Sequence, residues 1–282
     1  MIIEEKKIVL ITGTNSGFGL LATLELAKRG YQVVATMRDL SKKDLLIERA
    51  KQLNIVQSID VVKLNVTSED QINAVKKHIE EQYGRLDVLI NNAGYSVGGM
   101  TEQLEISQWK EQLDTNVFGV VAITKACLPL LRRTQAAKII NLGSISGRIG
   151  FPGLAPYVTS KFALSGFSES LRLELLPFNI SVSLIEAGSF KTNIWDKGLA
   201  GVQSQRNDEY GPFLRKIYDE AEQTAKSAAD PEEVIKLMVK ISEAQKPKFR
   251  YQVGKGVKKL IFFKSVLPWF VIEWFVKRRL MK

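Results

Sequence analysis

Two hydrophobic periods alternate along the chain. Strand-length apolar runs stand at Ile8–Thr12, Gln32–Thr36, Ser58–Leu64, Leu86–Ile90, Lys138–Leu142, Ser181–Ile185 and Arg250–Val253. Between them, longer amphipathic segments cover Leu20–Arg29, Lys42–Leu53, Glu69–Tyr83, Gln108–Arg132, Tyr157–Leu176 and Glu232–Ala244. Strands of this kind joined by helix-length crossovers are the pattern of βαβ units, so the expected class is α/β: a doubly wound parallel sheet of about seven strands with helices on both faces. Asp230-Pro231-Glu232-Glu233 supplies one helix start, with a cap residue, proline at the first helical position and acids in the first turn. No internal repeat, low-complexity tract or long linker interrupts the rhythm, and a single domain over residues 1–282 is expected.

Two segments depart from it. Residues 190–226 are polar and weakly periodic and follow a strand end, where α/β folds carry their substrate loops, so they are read as a flap over the site. The extension 254–282 reads as two short helices, Gly256–Leu267 and Trp269–Lys282, broken at Pro268. Residues 246–282 hold eleven lysines and arginines against Glu273 alone, which accounts for the whole formal charge of +10, and eight of the chain's 24 aromatic residues. The rest of the chain is neutral, which argues against a nucleic-acid partner. Three roles fit the tail: packing on the body or on a partner subunit, a patch lying in a membrane interface, or a lid over an apolar pocket. Its longest apolar stretch, Ser265–Ile272, falls far below the roughly 18–20 residues needed to cross a bilayer, and no spanning segment is expected.

Composition narrows the chemistry. At 45% hydrophobic and 25% charged residues the chain is an ordinary globular mixture. Cys127, its one cysteine, can form neither an intramolecular disulfide nor a cysteine-rich zinc site; no metal is expected, and a reducing cytoplasm fits. The one histidine, His78, lies among charges and reads as a solvated helix residue. Residues Met1 to Lys7 carry no targeting pattern, so the expected location is the cytoplasm, with the tail reaching the inner membrane surface.

Directly after the first strand comes Thr12-Gly13-Thr14-Asn15-Ser16-Gly17-Phe18-Gly19, then a helix. Glycines there permit a tight turn and let a pyrophosphate approach the backbone amides and positive end of the helix. Asn91-Asn92-Ala93-Gly94 closes the fourth strand, Ser144 precedes Tyr157 by 13 residues, and Tyr157-Val158-Thr159-Ser160-Lys161 and Asn116 complete the set. With its TGxxxGxG, NNAG and YxxxK spacings, the chain over roughly residues 6 to 193 resembles the short-chain dehydrogenase/reductase family, a Rossmann-type fold.

Tyr157 and Lys161, four apart, project from one helix face. A tyrosine of ordinary pKa about 10 exchanges protons poorly near neutrality, and a neighbouring ammonium favours its phenolate. On this reading Tyr157 exchanges a proton with the substrate oxygen, Lys161 tunes it, and Ser144 hydrogen-bonds the oxygen as charge develops. The resemblance implies that Lys161 also holds the nicotinamide ribose and that Asn116 organises a proton path through water. Cofactor contacts are expected from Gly13, Asn15, Ser16, Gly17, Phe18, Gly19, Asn65, Val66, Asn92, Ala93, Gly94, Gly188 and Thr192. The second strand ends Thr36-Met37-Arg38, and an arginine there suits the 2′-phosphate of NADP, preferred over NAD. Asn65 replaces the family's usual aspartate and Ala187 the proline of its PG pair.

These readings lead to an NADP-dependent oxidoreductase interconverting a ketone or aldehyde and its alcohol. The expected substrate is hydrophobic, lipid-, steroid- or retinoid-like, and the resemblance implies a homodimer or homotetramer. A non-catalytic NADPH-binding regulator is the alternative, disfavoured by the complete Asn116, Ser144, Tyr157 and Lys161 set.

Overall fold

The computed structural model describes residues 6–192 and 210–280. Its elements run β1 (Ile8–Thr12), α1 (Gly17–Lys28), β2 (Gln32–Met37), α2 (Asp44–Gln52), β3 (Ile59–Lys63), α3 (Glu69–Tyr83), β4 (Val88–Asn91), α4 (Ile106–Leu113), α5 (Gly119–Leu131), β5 (Lys138–Leu142) and α6 (Ala155–Glu174). They continue through β6 (Ser181–Ala187), α7 (Gly211–Lys226), α8 (Glu232–Glu243), β7 (Arg250–Val253), α9 (Val257–Val266) and α10 (Trp269–Leu280). The strands form one sheet in the order β3-β2-β1-β4-β5-β6-β7, parallel throughout. The chain enters at the middle, winds outward to β3, then returns to β4. The winding therefore reverses between β1 and β4, where such folds open a crevice beyond the strand ends.

Period-two alternation divides the core. Val9 and Ile11 of β1 face a layer completed by Leu26 of α1 and Met238 of α8, whereas Leu10 faces Val75 of α3, Ile123 and Leu130 of α5 and Leu171 of α6. Cys127 is buried in the second layer, where desolvation pushes its thiol up to about 12, so it packs as an inert apolar group. The Asp230 carboxylate accepts the Glu232 N–H at 2.8 Å, as its position before α8 predicts.

Two sequence readings are corrected. The helix expected over Gln108–Arg132 starts earlier, at Ile106, and is interrupted by a π turn over Asp114–Phe118 that centres on buried Asn116. Of the segment read as a flap, residues 211–226 form the amphipathic helix α7, while residues 193–209 lie outside the described residues. Charged positions on α7 outnumber its apolar stripe, which hides the period. His78 is half-buried rather than solvated, its Nε2 paired with the Asp60 carboxylate of β3.

The run Ile106–Leu131 is long and apolar enough, by length and composition, to cross a membrane, with a mean hydropathy of 1.3 in its most apolar window. Here it is a sheet-covering helix, with Ile123, Cys127, Leu130 and Leu131 in the core.

Candidate active site

The crevice at the reversal point is the start of one cavity of about 1800 Å³ that runs from the glycine turn, past Tyr157, to the C-terminal helices. Its first wall is built by close backbone approach. Gly13 has a left-handed φ of +73°, and a Cβ there would stand 2.9 Å from the Ala93 Cα. At Gly19 a Cβ would lie 2.2 Å from the Gly13 oxygen and 2.5 Å from Asn92 Nδ2. Only glycine at both positions lets the β1 end, the β4 end and α1 meet.

Asn92 explains the second motif. Its Nδ2 donates to the oxygens of Thr12 at 2.8 Å and Gly13 at 2.9 Å, while the Thr12 hydroxyl accepts from the Asn92 and Ala93 amides. Behind it, Asn91 Nδ2 donates to Asn141 Oδ1 at 2.8 Å, and Asn141 Nδ2 to Ser168 Oγ at 2.8 Å, so β4, β5 and α6 are tied by buried amides. Asn92 thus holds the glycine turn in place and lines the cavity, while Asn91 fixes the β4 end behind it.

Among the described residues, nothing within this cradle opposes an anion. Helix α1 carries no acid in its first turn, and Ser16 makes no capping bond, so helix N–H groups and a free hydroxyl line the cavity with Asn15, Gly17 and Phe18. Phe18 stacks edge-on against Phe190 at 5.7 Å, and Thr192 stands beside Gly17. At the far rim Arg38 is exposed and lines the cavity with Lys42, and among the described residues no acid pairs with Arg38. The Asp39 carboxylate is instead engaged by the Ser41 amide at 3.0 Å and the Ser41 hydroxyl at 2.7 Å, and these bonds hold its pKa below the ordinary value. Asn65, also in the wall with Val66, turns its side-chain oxygen onto Thr67, accepting from its hydroxyl at 3.0 Å. Its Nδ2 donor, rather than the oxygen, is the atom left to address a base.

At the cavity's centre lie Ser144, Tyr157 and Lys161, brought together by the end of β5 and one face of α6. The Ser144 oxygen accepts the Ser146 N–H at 3.1 Å, and its side chain faces Tyr157 closely enough to oppose the rise in that residue's pKa. Lys161 donates to the Leu142 carbonyl at 2.9 Å, and its Nζ stands 5.6 Å from the centre of the Tyr157 ring. Burial raises the Tyr157 pKa against the opposing effect of the Ser144 side chain, and burial lowers Lys161 to about 8. In the ligand-free protein, then, desolvation rather than the Lys161 charge dominates the tyrosine. A protonated Tyr157 is a proton donor waiting for a basic oxygen.

Asn116 has a different position from the other three. Its Nδ2 donates to the Tyr95 carbonyl at 2.9 Å and Ser160 Oγ at 3.1 Å, and its Oδ1 accepts the Tyr95 N–H at 3.1 Å. Gln112, which belongs to none of the sequence motifs, grips the same loop through the Tyr95 carbonyl and the Val97 amide, both at 2.8 Å. The end of α4 and the π turn that follows it aim the two amides at the strand-end loop carrying Gly94, Tyr95 and Ser96. At the next strand end, buried Glu186 pairs with Arg250 at 2.7 Å, stiffening the approach to Ala187 and Gly188.

Tyr95, Ser96, Phe151 and Leu154 also line the cavity. Ile217, Ala221 and Thr224 of α7, within the segment read as a flap, and the tail residues Leu260, Phe263 and Phe275 complete the apolar wall. The spacing of Leu214, Ile217, Ala221 and Thr224 is the helical signal that could have found α7.

The model of the family described as short chain dehydrogenase matches residues 7–201. The chain belongs to that family. It is therefore an oxidoreductase, a dehydrogenase/reductase, and the fold and glycine cradle fit the dinucleotide such enzymes use. The chain is similar to an uncharacterized oxidoreductase, YusZ, of Bacillus subtilis, at 44% identity over 98% of this chain and 99% of the relative. It is 35% identical to the 3-ketodihydrosphingosine reductase of Bacteroides thetaiotaomicron, over 93% and 92%. Among solved structures, an actinorhodin polyketide ketoreductase with NADPH superposes with a TM-score of 0.77 at 26% identity, covering 91% of this chain and 99% of that one.

The two pKa directions carry a pH prediction. Raised Tyr157 keeps its proton through neutrality, whereas Lys161 loses its charge as pH rises through about 8. Carbonyl reduction that needs both protons should show a kcat/KM for NADPH that is level below that pH and falls up to about tenfold per unit above it. A profile that stays level through that pH would remove Lys161 from the proton chemistry.

Proposed function

We propose that the protein is an NADPH-dependent reductase of an apolar ketone or aldehyde, with lipid-, steroid- or retinoid-like substrates the class it takes. The observation that carries this reading is the convergence of Ser144, Tyr157 and Lys161 in the buried middle of one cavity with a polar, cationic end at Arg38 and Lys42 and an apolar end formed by α7, α9 and α10. When bound, the nicotinamide supplies the hydride. Tyr157 gives its proton to the carbonyl oxygen, Ser144 donates a hydrogen bond as negative charge gathers there, and the Lys161 ammonium stabilises the phenolate left behind. Asn116 positions the strand-end loop rather than touching the substrate. Sphingoid reduction by the Bacteroides relative, a ketone on a long apolar chain, supports the substrate class by similarity.

NADP is the preferred cofactor in this reading because Arg38 is unpaired among the described residues while Asp39 is occupied. Thermal unfolding with NADPH and NADH tests it: at roughly 100 times Kd a native-state ligand adds about 2.7 kcal/mol, so the larger rise in Tm should come with NADPH. Arg38→Asp should weaken NADPH binding by about 10- to 100-fold, the loss of one charge-assisted contact of about 1.5–3 kcal/mol. An unchanged NADPH preference would return the role to Asp39.

We further read the chain as one catalytic unit that self-associates through the outer faces of α4 to α6. Phe118 and Phe162 are exposed there, unlike the apolar residues of the opposite faces. The proposed site of action is the cytoplasm, at the inner membrane surface.

A further inference from the structure

The C-terminal helices are apolar on two opposite sides. Leu260, Phe263, Leu267, Val271, Ile272 and Phe275 line the cavity, yet Phe262, Trp269, Phe270 and Trp274 lie outside its wall and are 62%, 59%, 71% and 51% exposed. An exposed aromatic cluster of this kind marks a surface with a partner. Phe263 and Phe275 both line the cavity and stand half-exposed, which places an apolar mouth of the cavity within that same patch. The other exposed rim, at Arg38 and Lys42, is polar. The two rims suit two different entrants.

Charge identifies the cover. The tail carries the chain's entire positive excess, and Lys258, Lys259, Lys264, Lys277, Arg278 and Arg279 flank the aromatic residues along the sequence. Lys264 lies over the Trp269 ring at 4.6 Å and Arg278 over Trp274 at 5.2 Å, pairing cations with the ring type that favours the membrane–water boundary. Basic residues around a short apolar face suit an anionic lipid surface, and eight or so apolar positions cannot cross it. The ion pair of Arg279 with Glu220, 2.6 Å, fastens α10 to α7 and so holds the mouth beside the patch.

We propose that α9 and α10 dock on an anionic bilayer with the apolar mouth turned into the lipid, so that substrate enters from the membrane while the cofactor enters from water. This rests on the apolar-carbonyl reading above and adds its route. The test uses the full chain with vesicles of phosphatidylglycerol and phosphatidylcholine, and with phosphatidylcholine alone. Flotation should recover the protein with the anionic vesicles, less so as salt rises, with a blue shift of tryptophan fluorescence. The double variant Phe270→Glu, Trp274→Glu should bind these vesicles at least about tenfold more weakly, while keeping its Tm and the NADPH-induced rise in Tm. Wild-type reduction of an apolar aldehyde such as retinal should rise when the aldehyde is presented in anionic vesicles, and the variant should lose that rise but reduce a short water-soluble aldehyde as before.

Absence of vesicle binding by a protein whose Tm still responds to NADPH would overturn docking and leave the reductase reading intact. A wild-type dimer that Phe270→Glu, Trp274→Glu converts to monomer, without vesicle binding, would show that a second copy covers the face and would equally overturn it. Equal turnover of vesicle-held retinal by both proteins would overturn the route. Vesicle binding is read without turnover, so failure of the reductase reading registers separately.

Discussion

Replacement of Tyr157 by phenylalanine is expected to lower kcat for carbonyl reduction by about 10²–10⁴-fold, the range that a positioned general acid contributes. The ring is retained, so the half-buried packing beside Lys161 survives and only the hydroxyl is lost. Ser144 remains able to donate to the carbonyl, but the developing alkoxide then has no proton source in the described wall except a distant, desolvated ammonium. NADPH affinity and the NADPH-induced rise in Tm should stay near the wild-type values because the hydroxyl is not part of the glycine cradle. Kinetics with saturating NADPH alongside a binding titration separate the two readouts. Retention of more than a tenth of the wild-type kcat would remove Tyr157 from the proton transfer.

Gly19→Ala is expected to damage cofactor binding by a different route. The added methyl would fall 2.2 Å from the Gly13 oxygen and 2.5 Å from Asn92 Nδ2, inside the pair of hydrogen bonds that join the ends of β1 and β4. Backbone cannot yield there without moving the turn, and overpacking of this kind costs about 1–3 kcal/mol. A lower Tm and roughly 10- to 100-fold weaker NADPH binding should result. Gly166→Ala on α6 is the matched control: a Cβ there meets nothing within 4 Å, and a helix propensity gain of up to about 1 kcal/mol is expected. If Gly19→Ala bound NADPH as tightly as the control, the close approach would not be shaping the site.

Local signals made the sheet and the heart of the site legible. Apolar runs of strand length located all seven strands to within two residues at either end, because a parallel sheet buried on both faces leaves little room for polar substitution. Spacing of Ser144, Tyr157 and Lys161 anticipated their convergence because α6 fixes two of them and the β5 end the third. Tertiary context decided the rest. The periodicity of Ile106–Leu131 continues smoothly through Asn116, so the π turn that aims this amide at Tyr95 leaves no mark in the hydrophobic pattern. His78 reads as solvated because its partner, Asp60, is brought near only by the packing of α3 on β3. The ionisation order of Tyr157 and Lys161 depends on burial, which spacing does not encode. Composition alone drew attention to the tail, but the placement of its two apolar sides, one against the cavity and one outward, is a property of the fold.

The account rests on Arg38 and Tyr157 serving one reaction, and steady-state reduction of retinal and of a long-chain ketone with NADPH and NADH at matched concentrations tests that most directly. Loss of cofactor absorbance dependent on the carbonyl, faster with NADPH, abolished by Tyr157→Phe and shifted toward NADH by Arg38→Asp, is the expected result. Absence of carbonyl-dependent oxidation of either cofactor, in a protein whose Tm rises with NADPH, would contradict it and favour a protein that binds the dinucleotide without turning it over.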